Sequence, residues 1–128
     1  MKKILIAIFS IILLSKCSQQ STVNLDVSEL NKINFSNSPD SVLLDVRTVR
    51  EFYEGKIASS ENIDVTRTDF FTSEIKKLDK SKHYFIICRS GSRSKKAVEL
   101  MEKQGFEHLH HVSGGMLAWQ KEDYPVEK

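Results

Sequence analysis

A chain of 128 residues has room for one domain. Its formal net charge of +2 becomes −1 once residues 1–16 are set aside, because they hold Lys2, Lys3 and Lys16 and no acid, leaving sixteen basic against seventeen acidic residues. That balance gives no basic surface for nucleic acid, and two cysteines, Cys17 and Cys88, are too few for a disulfide framework.

Residues 1–16 read as a targeting segment. Lys2 and Lys3 form a basic start, and Ile4 to Leu14 is an apolar run broken only by Ser10. Such a run is too short to span a bilayer, which takes roughly 20 residues, and it fits a secretory signal peptide. Leu14-Ser15-Lys16-Cys17 resembles a bacterial lipobox, with Lys16 where a small residue is usual. That resemblance implies cleavage before Cys17, lipid attachment to it, and an exported protein anchored on a membrane facing the periplasm or the cell surface. The alternatives are an ordinary signal cut nearby or an uncleaved N-terminal anchor. Residues 17–24 are then the lipid-attachment cysteine and a polar tether, and 25–128 the folded domain. With Cys17 lipidated, Cys88 is the only thiol left and no internal disulfide can form.

The domain alternates strand and helix. Val23 to Val27 is a short first strand, and Ser28 caps a helical turn carrying Leu30 and Ile33. Ser36 to Ser41 is a turn around Pro39, after which Val42 to Val46 reads as a parallel strand buried on both faces, with Asp45 near its end. Glu61 to Val65 forms a short strand, and Asp69 to Leu78 a helix that buries Phe70, Phe71, Ile75 and Leu78. Tyr84 to Ile87 is an apolar strand running into Cys88. Arg89-Ser90-Gly91-Ser92 then turns the chain, and Arg93 and Ser94 open a helix whose apolar face is Ala97, Val98, Leu100 and Met101. Gly105 stops it.

His108, His110 and His111 follow in a strand, where alternation puts His108 and His110 on one face and His111 on the other. Three convergent ligands do not result, so a polar strand near a sheet edge is preferred over a metal site and no metal is expected. The chain closes with Val112, a Gly114-Gly115 turn and a short helix that buries Trp119. Strands alternating with helices, without hairpin signals, imply a parallel, doubly wound α/β sheet. Right-handed crossovers bring the strand ends carrying Asp45 and Cys88 to one rim.

Cys88 therefore lies between a buried strand and the first unpaired N–H groups of a helix. Those amides favour thiolate over thiol, and Arg89, Arg93, Lys95 and Lys96 push the same way. Gly91 allows the positive φ of an anion nest. The competing reading is inert packing, since free cysteine is among the most buried residue types.

Cys88-Arg89-Ser90-Gly91-Ser92-Arg93-Ser94 resembles the active-site loop of the rhodanese family of sulfurtransferases. Leu44-Asp45-Val46-Arg47, Glu51-Phe52, Gly55-Lys56-Ile57 and Asn62-Ile63 resemble a second family stretch, with Lys56 in place of the usual His and Ser59-Ser60 in place of Gly-Ala. Val112 to Trp119 and Pro125-Val126 complete the likeness, which runs from about residue 27 to 126. Four residues separate Cys88 from Arg93. Cysteine-dependent phosphatases use a longer loop, because theirs must wrap a tetrahedral phosphate.

The resemblance implies about five strands, no cofactor and a monomer that moves a sulfane sulfur from thiosulfate or a persulfide to a thiol or cyanide through a persulfide on Cys88. It implies that the loop from Arg89 through Ser90, Gly91 and Ser92 to Arg93 binds the donor, its N–H groups stabilising anionic charge and Arg89 and Arg93 gripping a dianion. Asp45 or Glu51 is expected to pair with a loop arginine, Arg93 by preference, with Arg47 on the same rim. The alternatives are that Asp45 only caps local amides, that Arg89 points to solvent while Arg93 is structural, and that the chain is a non-catalytic binding module. A cysteine-dependent phosphatase or arsenate reductase is the remaining rival.

Overall fold

A computed structural model describes residues 21–128. Residues 1–20, on which the expected signal peptide, the lipid-attachment Cys17 and most of the expected tether fall, lie outside the described residues. Five strands and five helices alternate: β1 (Val23–Leu25), α1 (Val27–Leu30), β2 (Ser41–Asp45), α2 (Val49–Glu54), β3 (Glu61–Asn62), α3 (Thr68–Ile75), β4 (His83–Ile87), α4 (Ser92–Lys103), β5 (His108–Val112) and α5 (Gly115–Lys121). A single 3-10 turn, Phe35–Asn37, precedes β2. The strands form one parallel sheet in the order β1-β5-β4-β2-β3. This is the doubly wound parallel sheet expected from the sequence.

The two faces follow from strand alternation. Leu44, Tyr84, Ile86 and Leu109 point to one side and pack with Phe71 and Ile75 of α3 and Ala97, Val98 and Met101 of α4. Leu43, Phe85, Ile87 and Val112 point to the other and pack with Val27 and Leu30 of α1 and Met116 and Trp119 of α5. Because Asp45 pairs with Ile87 in the β2–β4 register, the ends of β2 and β4 emerge side by side, with β5 next to β4. Cys88 is the next residue on that rim.

Several local boundaries differ from expectation. Asp26, not Ser28, caps α1: its carboxylate accepts the Glu29 N–H at 3.0 Å and the Ser28 hydroxyl at 2.6 Å. The strand consequently ends at Leu25, and Val27 turns inward on the first turn of the helix. β3 is two residues long, because Asp64 draws the amide and hydroxyl of Thr66 back into a turn. In α3, Phe71 is buried while Phe70 is 40% exposed under the Arg67 guanidinium, since neighbours on a helix face directions about 100° apart. Among the described residues no helix is long and apolar enough to cross a membrane.

Candidate active site

The segment between β4 and α4 is shaped from outside by α5. The Met116 N–H donates to the Cys88 carbonyl at 2.8 Å and the Leu117 N–H to the Arg89 carbonyl at 3.0 Å. Both carbonyls are thereby turned toward α5. Gly115 permits this docking, having a φ of 56° and lying so close that any β-carbon would collide with the Cys88 and Arg89 carbonyls. Gly91, at φ 117°, turns the chain into α4.

With the carbonyls held outward, amides face the sulfur. The Gly91 N–H donates to Cys88 Sγ at 3.0 Å, and Ser94 Oγ lies 3.3 Å from the same atom. Cys88 is fully buried. Burial by itself pushes the thiol pKa up, but hydrogen bonds from the Ser94 hydroxyl and from the amides of Ser94, Gly91 and Ser90 outweigh it, and the net direction is down. The geometry thus favours a thiolate over inert packing. Ser90 and Ser92 are exposed, so Ser90 acts on the sulfur through its backbone. Lys96 reaches away to the Thr68 hydroxyl at 3.2 Å.

Two carboxylate–arginine pairs frame this loop. Glu51 holds Arg93 in a two-pronged contact, with Nη1–Oε2 at 2.7 Å and Nη2–Oε1 at 2.8 Å. A capping box on α2 presets it: Thr48 Oγ1 accepts the Glu51 N–H, and the Glu51 carboxylate accepts from the amide and hydroxyl of Thr48. Arg93 first, then Thr48, holds the Glu51 carboxyl at about 2 against the opposing effect of burial. Asp45 instead takes Arg47, at 2.7 to 3.0 Å, and also accepts the Arg47 N–H at 3.0 Å. Of the two carboxylates offered for Arg93, Glu51 is therefore the partner, while Asp45 serves its own strand end. In this structure both Arg93 Nη atoms are held by Glu51. The Arg89 side chain is exposed, makes no hydrogen bond or ion pair among the described residues, and borders a cleft of about 160 Å³ with Arg47, Glu51, Glu54, Leu117 and Gln120.

A family model described as rhodanese-like domain matches residues 26–122 of this chain. The chain belongs to the rhodanese family. Among curated relatives, YtwF of Bacillus subtilis, which carries a sulfurtransferase name, is 40% identical over 83 residues, covering 65% of this chain and 77% of that one. A sulfurtransferase of Allochromatium vinosum is 30% identical over 104 residues, covering 81% and 94%. Among solved structures, a rhodanese-related protein from Thermoplasma volcanium matches with a TM-score of 0.62 at 32% identity, covering 82% of this chain and 97% of that one.

Two residues beside the sulfur of this rhodanese domain have no role at the thiol in the sequence reading. Ser94 is buried beside the sulfur, and His111 reaches it from β5: His111 Nε2 lies 2.8 Å from Ser94 Oγ and 3.0 Å from the Gly91 carbonyl oxygen. The alternation that separated His111 from His108 and His110 was the available signal. The other two rings stack on the opposite side with His83, at 4.3 and 5.4 Å between centroids, and His110 also lies over Phe85. Burial, then the charges of His83 and His108, lowers the His110 pKa. Among the described residues no three His, Cys, Asp or Glu side chains are grouped to hold a metal ion.

Proposed function

We propose that this rhodanese domain is a sulfurtransferase in which Cys88 carries sulfur from thiosulfate or a persulfide to an acceptor thiol, or to cyanide in an assay. The observation that carries this reading is the sulfur's setting: a buried Sγ that receives the Gly91 amide, adjoins the Ser94 hydroxyl and has its pKa drawn down. The thiolate attacks the outer sulfur of the donor, a new S–S bond forms, and sulfite or a thiolate leaves with the electron pair. Loop amides stabilise the charge as it passes. An acceptor thiolate next attacks the outer sulfur, and Cys88 departs as thiolate. A thiol pKa near ambient pH serves both halves, because lowering it further weakens the nucleophile. Arg89, unpaired at the edge of the loop, supplies the positive charge for an anionic donor. The short Cys88–Arg93 spacing supports sulfur chemistry over phosphate chemistry.

The same proposal places the domain outside the cytoplasm as a lipid-anchored monomer. Its support is the basic start, the apolar run Ile4 to Leu14, and Leu14-Ser15-Lys16-Cys17. Intact-protein mass spectrometry before and after thiosulfate tests the chemistry: wild type gains one sulfur, roughly 32 Da, which cyanide removes, and Cys88→Ser gains nothing. No gain from thiosulfate or from a small persulfide would remove the sulfurtransferase reading.

A further inference from the structure

We infer that His111 is a positioning residue that acts on Cys88 through Ser94, its Nε2–H holding the Ser94 hydroxyl toward the sulfur. The proposal deepens the sulfur-carrier reading and rests on it. It follows from counting protons over four atoms. Ser94 Oγ lies 3.3 Å from Cys88 Sγ, 3.0 Å from the Gly91 carbonyl oxygen and 2.8 Å from His111 Nε2. Nε2 is itself 3.0 Å from the same carbonyl. Ser94 has one proton to give, and the carbonyl has none.

When Cys88 is a thiolate, that one proton belongs on the sulfur, the stronger acceptor. Ser94 Oγ and the Gly91 carbonyl then both face Nε2, so a bare ring nitrogen would set lone pair against lone pair. Thiolate and Nε2–H therefore go together, and the neutral Nε2–H tautomer meets that need. When Cys88 is a thiol, its S–H donates to Ser94 Oγ and the Ser94 O–H donates to the Gly91 carbonyl, while Nε2–H faces Ser94 Oγ and the same carbonyl.

On ionisation the S–H proton passes to a base in solvent, and the Ser94 hydroxyl turns from the Gly91 carbonyl to the sulfur. His111 keeps its Nε2–H throughout, donating to Ser94 Oγ. In the second half-reaction the sulfur–sulfur bond breaks with its electron pair left on Sγ, and the Ser94 hydroxyl backed by Nε2–H is already aimed at the new charge.

Strand alternation is what makes this possible. β5 lies beside β4, and His111 alone of its histidines projects toward the Cys88 face, against Gly91. On its outer side His111 borders a cleft of about 520 Å³ with Asn24 and Ser113, and with Lys95, Glu99 and Glu102 of α4. Among the described residues the last three are the charged groups lining that cleft.

The test is the rate of Cys88 alkylation by iodoacetamide against pH in the full-length protein, which needs no sulfur donor. His111→Ala is expected to raise the apparent thiol pKa by about one unit, slowing alkylation roughly tenfold below the pKa while leaving the high-pH plateau unchanged. Ser94→Ala should do the same, and the double variant no more than either, since all act on one chain. His111→Gln keeps an N–H donor, so it should restore part of the shift. An unshifted profile in His111→Ala, or a rate reduced equally at every pH, would overturn the inference. A shifted profile in a protein that never gains sulfur would uphold the hydrogen-bond chain and sink the sulfur-carrier reading instead.

Discussion

The two carboxylate–arginine pairs on the rim use the same groups for different work. Asp45 and Arg47 are two residues apart, and their side chains are 1% and 7% exposed. Their bonds run to their own backbone and to the Gly55 carbonyl, while Asn62 bridges the carbonyls of Asp45 and Arg47 at 2.9 Å each. Glu51 and Arg93 are 42 residues apart, and their side chains are about one quarter exposed. That pair ties the start of α2 to the first turn of α4. One pair fixes how the chain leaves β2, and the other fixes the loop that holds the thiol. Burial and sequence separation, not chemistry, decide which does which.

Breaking the inner pair should cost more. Asp45→Asn keeps the shape but leaves the Arg47 guanidinium buried without its counter-charge, and loss of one partner of a buried pair costs about 3–5 kcal/mol. Urea unfolding should show that loss, with turnover falling as the folded fraction does. A change below about 1 kcal/mol would mean that Asn62 and the Gly55 carbonyl hold the turn without the ion pair.

Glu51→Gln should cost less and leave a pH signature. The Glu51 carboxyl stands at about 2 in the folded protein against 4.5 for a free one. A depressed acid stabilises the fold above its unfolded pKa, and that stability is lost as pH falls toward the folded value. The wild type should therefore lose on the order of 1–3 kcal/mol between about pH 4.5 and 2 that Glu51→Gln does not lose. Parallel unfolding curves for the two proteins across that window would show that Arg93 does not rely on Glu51. Because the pair positions α4, the variant should also slow Cys88 alkylation while remaining folded at neutral pH.

The sequence carried the layers and the place of Cys88 between β4 and α4, because each rests on local signals. Tyr84 to Ile87 is an unbroken apolar run, as a doubly covered parallel strand must be, and Gly91 sits where only a positive φ gets the chain into α4. Partner choice was not local. Asp45 and Glu51 were equally plausible for Arg93 until α2 was in place, and Thr48 and Glu51, three residues apart, were the capping signature that would have placed it. His111 was hidden differently. It was grouped with its histidine neighbours as a metal question, although alternation had already set it apart, and only the β4–β5 pairing shows that its face is the one bearing Ser94. Asp26 and Ser28 are both good caps, and the inward turn of Val27 decides between them.

The smallest structural effect should come from the loop arginine that neither pair engages. Arg89 is exposed and holds nothing else in place among the described residues, so Arg89→Ala should change stability by no more than about 0.5 kcal/mol. Its charge matters only if the donor is an anion, and the two pairs leave Arg89 as the unneutralised guanidinium beside the loop. Turnover from thiosulfate should then fall roughly tenfold, through KM more than kcat, while the rate from a neutral persulfide donor stays the same. Equal losses with both donors would mean that Arg89 shapes the loop rather than reads charge. No loss with either would leave donor binding to the backbone amides, and the positive edge of the cleft would then have no part in choosing a substrate.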